Sequence, residues 1–548
     1  MKKEQVSMRI DAVKLSTNNR LAIDYYQSDK AIMKYFDYLP FESATFQQRL
    51  ADLKERQFNR FSLSEVLKQL NTDWDAPDST LENIERLKDD NSVVVIGGQQ
   101  AGLLTGPLFT IHKIVSIIHL AKKQEENLQV PVIPVFWIAG EDHDFEEINH
   151  ILLAKKDRMQ KYKIKQQVTN KQAMSSLELD KDAASHWIKQ IFMDIPETEY
   201  TKDLYGLINK ELDKSSSYVD FFARIILNLF EKEGLVLVDS GSPLVRELER
   251  NHFCELIDKQ PWISKGVYQQ TQKMKSNGYS VSIDAEENDA HVFYHKDGER
   301  ILLIRDEEGN WVGKQNECRL TTDELLHIAK HKPELLSNNV VTRPLMQELL
   351  FPSLAFLGGL GEVAYWSVLK PAFEAIEIKM PPVLPRLSFT LMDRKIEKKL
   401  QHFGLDPIQV INRGLDQDKG NWLASQTSPP IELLTEQVKD SFDRAHKPLR
   451  NLANSLGPDL GGLAEKNLIY IFEDLHFLQD KMKKSLENKN KHAIESFNHM
   501  QTMLRPEGGL QERSWNVIPF INSFGTDFIN QMVEHTYDFE QSHYIIYF

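Results

Sequence analysis

The stretch from Val93 to Asp144 constrains the fold of this 548-residue chain more than any other. Val93 to Ile96 is an uninterrupted run of β-branched apolar residues, as a strand buried on both faces requires. Gly97-Gly98-Gln99-Gln100-Ala101-Gly102 then reads as a tight glycine-bearing turn, and Pro107 suits the first turn of a helix. Ile111, Ile114, Val115, Ile118 and Leu120 recur at helical spacing, and a second apolar run, Val132 to Ile138, ends in Gly140-Glu141-Asp142-His143-Asp144. Strand, turn, helix, strand is a βαβ unit, which implies a parallel sheet with a right-handed crossover. Ligands of such sheets sit beyond the carboxyl ends of the strands, where both polar clusters fall.

Further apolar runs extend this core. Leu235 to Val238 ends in Asp239-Ser240-Gly241, and Pro243 opens a helix through Leu256. Phe351 to Leu357 ends in a second glycine turn, Gly358-Gly359-Leu360-Gly361, and Pro382 to Met392 reads as the last core strand. Between these runs the composition turns polar twice. The expected division is 1–150 for an N-terminal region and the first half of the core, 151–218 for a first insertion, and 219–258 for more core. A second insertion over 259–333 follows, then the end of the core over 334–392. Asp297-Gly298 between alternating runs is a hairpin signal, so the second insertion reads as a small antiparallel β unit.

From 393 to 505 the pattern is helical. Leu468, Ile471, Leu475, Leu478 and Met482 alternate spacings of three and four, a coiled-coil seam. Leu434, Val438 and Phe442 supply a partner helix, expected to end near Pro448. An arm of this kind fits a homodimer, although pairing within one chain explains the pattern too. The tail, 506–548, is aromatic-rich and is expected to dock back on the body.

Sixty-six basic residues against 80 acidic ones give a net charge of −14, which speaks against nucleic acid or an anionic membrane as the main partner. The first residues lack the apolar core of a signal peptide, and no apolar run approaches the length of a bilayer span. With two cysteines, Cys254 and Cys318, in no metal-type spacing, a cytoplasmic chain with reduced thiols is expected.

The words of the central motifs point further. GGQQAGLLTGPLFTIHK from Gly97, PVFWIAGEDHDFEEINH from Pro134 and NNVVTRPLMQELLFPSLAFLGGLGEVAYW from Asn338 resemble the BshC family, the cysteine-adding enzymes of bacillithiol synthesis. The likeness extends over essentially the whole chain. It implies a discontinuous Rossmann-like, doubly wound α/β core with two insertions and a C-terminal helical coiled-coil arm. It also implies a ligase that joins L-cysteine to glucosaminyl-malate through an amide, the last step of bacillithiol biosynthesis. A carboxylate does not acylate an amine unaided, so an activated acyl group is needed, and ATP (or ADP as its product) is the nucleotide expected.

Candidate residues follow from position. Gly98, Gln99, Gln100 and Thr105 lie between a strand and a helix whose N-terminus offers free N–H groups to phosphate or carboxylate. A plain tight turn accounts for them equally well. Asp142, His143 and Asp144 at the next strand end form a base with its orienting carboxylates. A solvated acidic loop is the alternative, since Glu146 and Glu147 continue the run, and no metal is assigned there. His112 lies in Thr110-Ile111-His112-Lys113, which is similar in part to the HIGH box of class I adenylate-forming enzymes but lacks its glycine and second histidine. Arg343, near Asn338, suits bidentate capture of the malate carboxylates, or merely a helix cap. Glu362, Asp239, Arg386 and Ser388 are further cleft candidates, and Gln100, His143, Asp239 and Glu362 are expected to share one rim.

Asp393 and Arg394, with Gly508, Gly509, Arg513, Trp515 and Asn516, make a second candidate pocket for a purine nucleotide, or simply a hinge. Cys254 and Cys318 have no histidine partner in sight and read as structural thiols. Two other functions remain open: a nucleotidyltransferase-like enzyme acting on another carboxylate, and a coiled-coil scaffold with a relic α/β core.

Overall fold

Val93–Gln99 (β1) is the centre of a five-stranded parallel sheet. The helix Phe109–Leu128 (α1) returns the chain to Val132–Ile138 (β2), which pairs in parallel with β1 from Val93 opposite Val132 to Gln99 opposite Ile138. Val236–Asp239 (β3) adds beyond β2. After the long helix Pro243–Ser276 (α2) and the helix Thr342–Leu350 (α3), Ser353–Gly358 (β4) pairs with the opposite edge of β1. The helix Leu360–Trp366 (α4) follows, and Val383–Pro385 (β5) closes the sheet beside β4. The order is therefore β5-β4-β1-β2-β3. The chain winds one way from β1 and then resumes on its other side, so the direction reverses between β1 and β4. A doubly wound sheet opens a crevice at that reversal, outside the carboxyl ends of the strands.

The computed structural model describes residues 8–168 and 171–548. It divides into two compact units, one of Met1–Leu153, Gln160–Leu391 and Gln511–Phe548, the other of Ala154–Met159 and Met392–Leu510. The first few residues and Asn170, which the sequence reading included in its segments, lie outside the described residues.

Several boundaries differ from the sequence reading. Gly97 and Gly98 belong to β1 and not to a turn. A Cβ on Gly97 would stand 2.6 Å from the Leu357 carbonyl, and one on Gly98 would stand 2.5 Å from the Trp137 carbonyl. Both glycines are there because neighbouring strands come close, which a composition-based turn signal cannot distinguish. The helix α2 runs past Leu256 and through Pro261 to Ser276, since buried Phe253, Leu256, Ile257, Ile263, Val267 and Met274 prolong its apolar stripe. The run from Pro382 to Met392 is two strands. Phe389–Met392 leaves the core and joins His543–Tyr547 and Arg9–Val13 in a separate three-stranded sheet, so the tail pairs with the chain's first described strand.

Between β3 and β4 lies an antiparallel sheet of five strands. Its central hairpin joins Asp289–Lys296 to Glu299–Arg305 across Asp297-Gly298, with Lys296 opposite Glu299. Both turn residues have positive φ, 53° and 82°, as the primed two-residue turn demands. Leu336–Asn338 pairs on its edge.

In the second unit, Ile431–Leu456 (α5) and Pro458–Lys489 (α6) form an antiparallel hairpin of helices. Arg450 meets Glu465 and Lys483 meets Glu432, which fixes the antiparallel register. The helix α5 does not stop near Pro448 but continues eight residues beyond it. A proline removes one backbone donor, a loss a packed helix pair can tolerate. Among the described residues, no helix is long and apolar enough to cross a membrane.

Candidate active site

A cavity of about 400 Å³ occupies the crevice between the carboxyl ends of β1 and β4. Lys113, one turn into α1, is its structural key. Its side chain is 1% exposed. The ammonium donates to the Gly98 carbonyl at 2.6 Å, to Gln99 Oε1 at 3.1 Å and to Glu362 Oε2 at 2.5 Å. All three protons are thereby used. Burial lowers the Lys113 pKa, against the opposing pull of the Glu362 carboxylate. Glu362 also accepts from the Gly359 N–H at 2.9 Å, capping α4. One lysine thus ties the end of β1 to the start of α4 across the reversal.

The opposite wall carries Gln100 and Asp142. Gln100 Nε2 donates to Asp142 Oδ2 at 2.7 Å, and the His143 N–H donates to Asp142 Oδ1 at 2.8 Å. Burial would raise the Asp142 pKa, but the Gln100 bond and the nearby Arg300 outweigh it, and the carboxyl is held below its ordinary value. His143 stands beside it, with Nδ1 3.3 Å from an Arg300 guanidinium nitrogen.

Three arginines line the remainder, together with Glu147 and Tyr365. Arg343 donates to the Tyr365 hydroxyl at 2.8 Å. Arg386 grips Glu512 with two bonds, at 2.8 and 2.7 Å. Arg513 is exposed at the rim. Among the described residues neither Arg343 nor Arg513 has an ion-pair partner within 4 Å, although Glu362 and Glu141 act on Arg343 from further off and Glu147 also lines the cavity. That arrangement accepts an anion, and a planar carboxylate best of all.

The structure gathers Gly98, Gln99, Gln100, Asp142, Arg343, Glu362, Arg386 and Arg513 around one cavity, sets His143 beside Asp142 just outside that lining, and puts the remaining candidates elsewhere. Asp239 lines a different cavity, of about 200 Å³, at the end of β3, where its Oδ1 accepts from Ser175 Oγ and the Gly241 N–H. The single rim expected for Gln100, His143, Asp239 and Glu362 is therefore divided, because β3 lies two strands from β1. Asp144 is exposed, at the start of a short helix. His112 is fully buried, bonded through Nδ1 to Glu512 at 2.8 Å, and lies behind Arg386 instead of in the cavity. Ser388 is taken up by His543 at 2.9 Å, and its carbonyl accepts from the Tyr544 N–H. Asn338 is buried, its amide has no partner, and its carbonyl accepts from Arg300 at 2.7 Å.

The phosphate cradle expected at the start of α1 is partly taken up by the chain's own tail. The Leu108 N–H donates to the Trp515 carbonyl at 2.8 Å, and Asn516 Nδ2 donates to the carbonyls of Leu104 and Gly106 at 2.8 and 2.6 Å. Asn516 Oδ1 accepts from the Ile518 N–H, which saturates a side chain that is 1% exposed and leaves it nothing for a nucleotide. Asn516 instead clamps a loop in which Leu104 and Thr105 have positive φ, 48° and 75°. Thr105 is buried there with its hydroxyl unpartnered. Trp515 is buried against Phe520. Of the rest of the second nucleotide pocket, Asp393 caps the helix Arg394–Phe403, Arg394 is exposed, and Gly508 and Gly509 turn the chain after Arg505. These four belong to the second unit, whereas Arg513, Trp515 and Asn516 belong to the first.

Sequence reasoning missed Lys113 and Arg300. The signal for Lys113 was present: it is the only lysine, arginine or carboxylate between Leu108 and Ala121, so it had to be buried or functional. Arg300 gave none, since it follows a hairpin turn and reads as surface.

Comparison with known proteins matches residues 8–387 to the family model described as "Bacillithiol biosynthesis BshC, N-terminal Rossmann-like domain". Residues 389–548 match "Bacillithiol biosynthesis BshC, C-terminal coiled-coil domain". A protein of Oceanobacillus iheyensis named "Putative cysteine ligase BshC" is 41% identical over 544 residues, covering 98% of this chain and 100% of the relative. A protein of the same name from Bacillus cytotoxicus is 42% identical over 523 residues, covering 95% of this chain and 97% of the relative.

Proposed function

The chain belongs to the BshC family of bacillithiol biosynthesis, and from that premise we propose that it is a ligase forming the amide between L-cysteine and glucosaminyl-malate, the last step of that pathway. The observation that carries this reading is the cavity at the strand reversal, with Arg343 and Arg513 lacking carboxylate partners and the anionic Asp142 on the opposite wall. The two guanidinium groups take the two malate carboxylates. The sugar amine attacks in its neutral form, its ammonium proton having first passed to solvent. As the carbon–nitrogen bond forms the nitrogen becomes cationic and far more acidic than a free ammonium, and Asp142 receives that second proton. Lys113 holds the ends of β1 and α4 so that these groups converge.

The cysteine carboxyl must arrive activated, and ATP is the proposed source. With the Leu108 N–H at the start of α1 taken by the Trp515 carbonyl, the cavity's cations are the groups proposed to meet its phosphates. The test incubates the purified chain with L-cysteine and glucosaminyl-malate, in the presence and absence of ATP, and follows the product by mass spectrometry. An ATP-dependent gain of one cysteinyl residue is expected. Acceptor left unchanged under ATP and under a preformed cysteinyl thioester would remove the assignment.

A cytoplasmic homodimer is part of the proposal, and the exposed surface of the second unit is what supports the dimer. Leu449, Leu452, Leu456, Leu460 and Leu463 cluster near the turn of the α5–α6 hairpin, each 47–69% exposed. Five large apolar side chains exposed along this end of the hairpin mark an association surface, and a second copy supplies a matching one. Leu452→Glu with Leu463→Glu should halve the mass measured by light scattering. A wild-type chain already at monomer mass would sink the dimer.

A further inference from the structure

We propose that His143 meets the substrate as a hydrogen-bond donor through Nε2–H, and that Arg300, carried in by the antiparallel insertion, is the positioning residue that sets this tautomer. The identity of the reaction rests on the ligase reading above; the tautomer does not.

A guanidinium has five N–H donors and no acceptor. Arg300 Nη1 stands 3.3 Å from His143 Nδ1, whereas Asp142 Oδ1 lies 3.8 Å from Nδ1 and 3.6 Å from Nη1, beyond hydrogen-bond reach of both, so Nδ1 offers its lone pair and the proton of the neutral ring resides on Nε2. Arg300 cannot easily turn away. Its Nε donates to Ser337 Oγ at 3.0 Å, its Nη2 donates to the Asn338 carbonyl at 2.7 Å, and its plane lies 3.7 Å over the Phe293 ring. It is 8% exposed. The His143 side chain is 27% exposed and stands directly after Asp142, which lines the cavity.

The charges facing His143 come from three segments. Asp142 and Asp144 share its loop, Arg300 and His295 come from the antiparallel sheet, and Lys171 comes from the segment before Ala173. Burial first, then Arg300, depress the His143 pKa, and Asp142 opposes them. The ring is therefore neutral at neutral pH, as its bond to Arg300 requires.

A base needs a free lone pair on the nitrogen not bonded to Arg300, and Nε2 has none. A donor there suits a different moment of the same step. As the sugar nitrogen forms its bond to the acyl carbon, the carbonyl π pair moves onto oxygen, and the His143 Nε2–H holds that oxyanion without giving up its proton. The pair then returns, the bond to the activating phosphate breaks with its electrons, and the nitrogen's proton passes to Asp142.

Glutamine can donate but cannot act as a base near neutral pH, so His143→Gln should retain turnover within about tenfold of wild type, whereas His143→Leu should lose about 10²–10³-fold. Equal and severe losses in both would overturn the donor role. Independently of activity, ¹⁵N-histidine NMR of the full chain, with His143 assigned through the His143→Gln spectrum, should show Nδ1 bare and Nε2 protonated at pH 7. In Arg300→Gln the ring's titration midpoint should rise and the tautomers mix. A wild-type ring protonated on Nδ1, or an Arg300→Gln ring unchanged in both respects, overturns the assignment to Arg300. If the spectra are as expected but no amide is made, the ligase reading falls and the tautomer stands.

Discussion

Replacing Lys113 by methionine should lower turnover about 100-fold while the chain stays folded. The ammonium makes three bonds, to the Gly98 carbonyl, Gln99 and Glu362. With every proton used, Lys113 cannot also hold substrate, so its contribution is to fix others in place. Releasing the Gln99 amide and the first turn of α4 lets the cavity's two sides drift, and misplacement by about 1 Å costs on the order of 100-fold in rate. Stability should respond far less. Methionine fills nearly the same volume, burial already disfavours the charged lysine, and exchanging a buried ion for an apolar group of like size is often neutral. Glu362 keeps its bond from the Gly359 N–H, and its side chain is 23% exposed, so water can replace the lost ammonium. The loss should fall on kcat and leave KM for the acceptor within a few-fold. Wild-type kcat in a folded Lys113→Met chain would refute the positioning role, as would a collapse of the thermal transition accompanying the lost rate.

How far the sequence revealed this site depended on the range of the forces involved. The β1–α1–β2 unit was readable because a β-branched run, a helical period and a second run are local patterns, and they located the two polar strand ends correctly as neighbours at one edge. What the local pattern could not supply was the length of β1 or the strand order. Gly97 and Gly98 look like a turn until Leu357 and Trp137 are placed against them. Asp239 reads as one more polar strand end, yet it belongs to another cavity because β3 is separated from β1 by β2. His112 and Lys113 are adjacent in sequence and one hundred degrees apart around a helix. Only the second points into the crevice, and the amphipathic reading of α1 concealed this because the helix is buried around its whole circumference from Thr110 to Ala121. Arg300 reaches His143 from 157 residues away, through a sheet whose docking no local signal specifies. Likewise, the clamp of Asn516 on the loop before α1 is a contact across some 410 residues.

The largest expected effect on stability lies at the far end of α3, the helix whose first turn presents Arg343. Glu348, fully buried, pairs with both Arg49 and Arg56. Arg49 is itself 1% exposed and donates onward to the Ser353 carbonyl at 3.0 Å, at the start of β4. Glu348→Ala should reduce the unfolding free energy by about 3–5 kcal/mol, because it strands the Arg49 guanidinium in the interior without a counter-charge. Arg56, at 19% side-chain exposure, can turn to water and adds little. The diagnostic is the double variant. Arg49→Met with Glu348→Leu removes both buried charges and fills their volume, so most of the lost stability should return, as it does when a buried pair is exchanged for apolar side chains. Urea unfolding of Arg49→Met, Glu348→Leu and the double variant, run beside Glu348→Ala, would measure the coupling. A Glu348→Ala chain within about 1 kcal/mol of wild type, or a double variant no better than the worse single one, would mean that α3 is anchored by its apolar face alone.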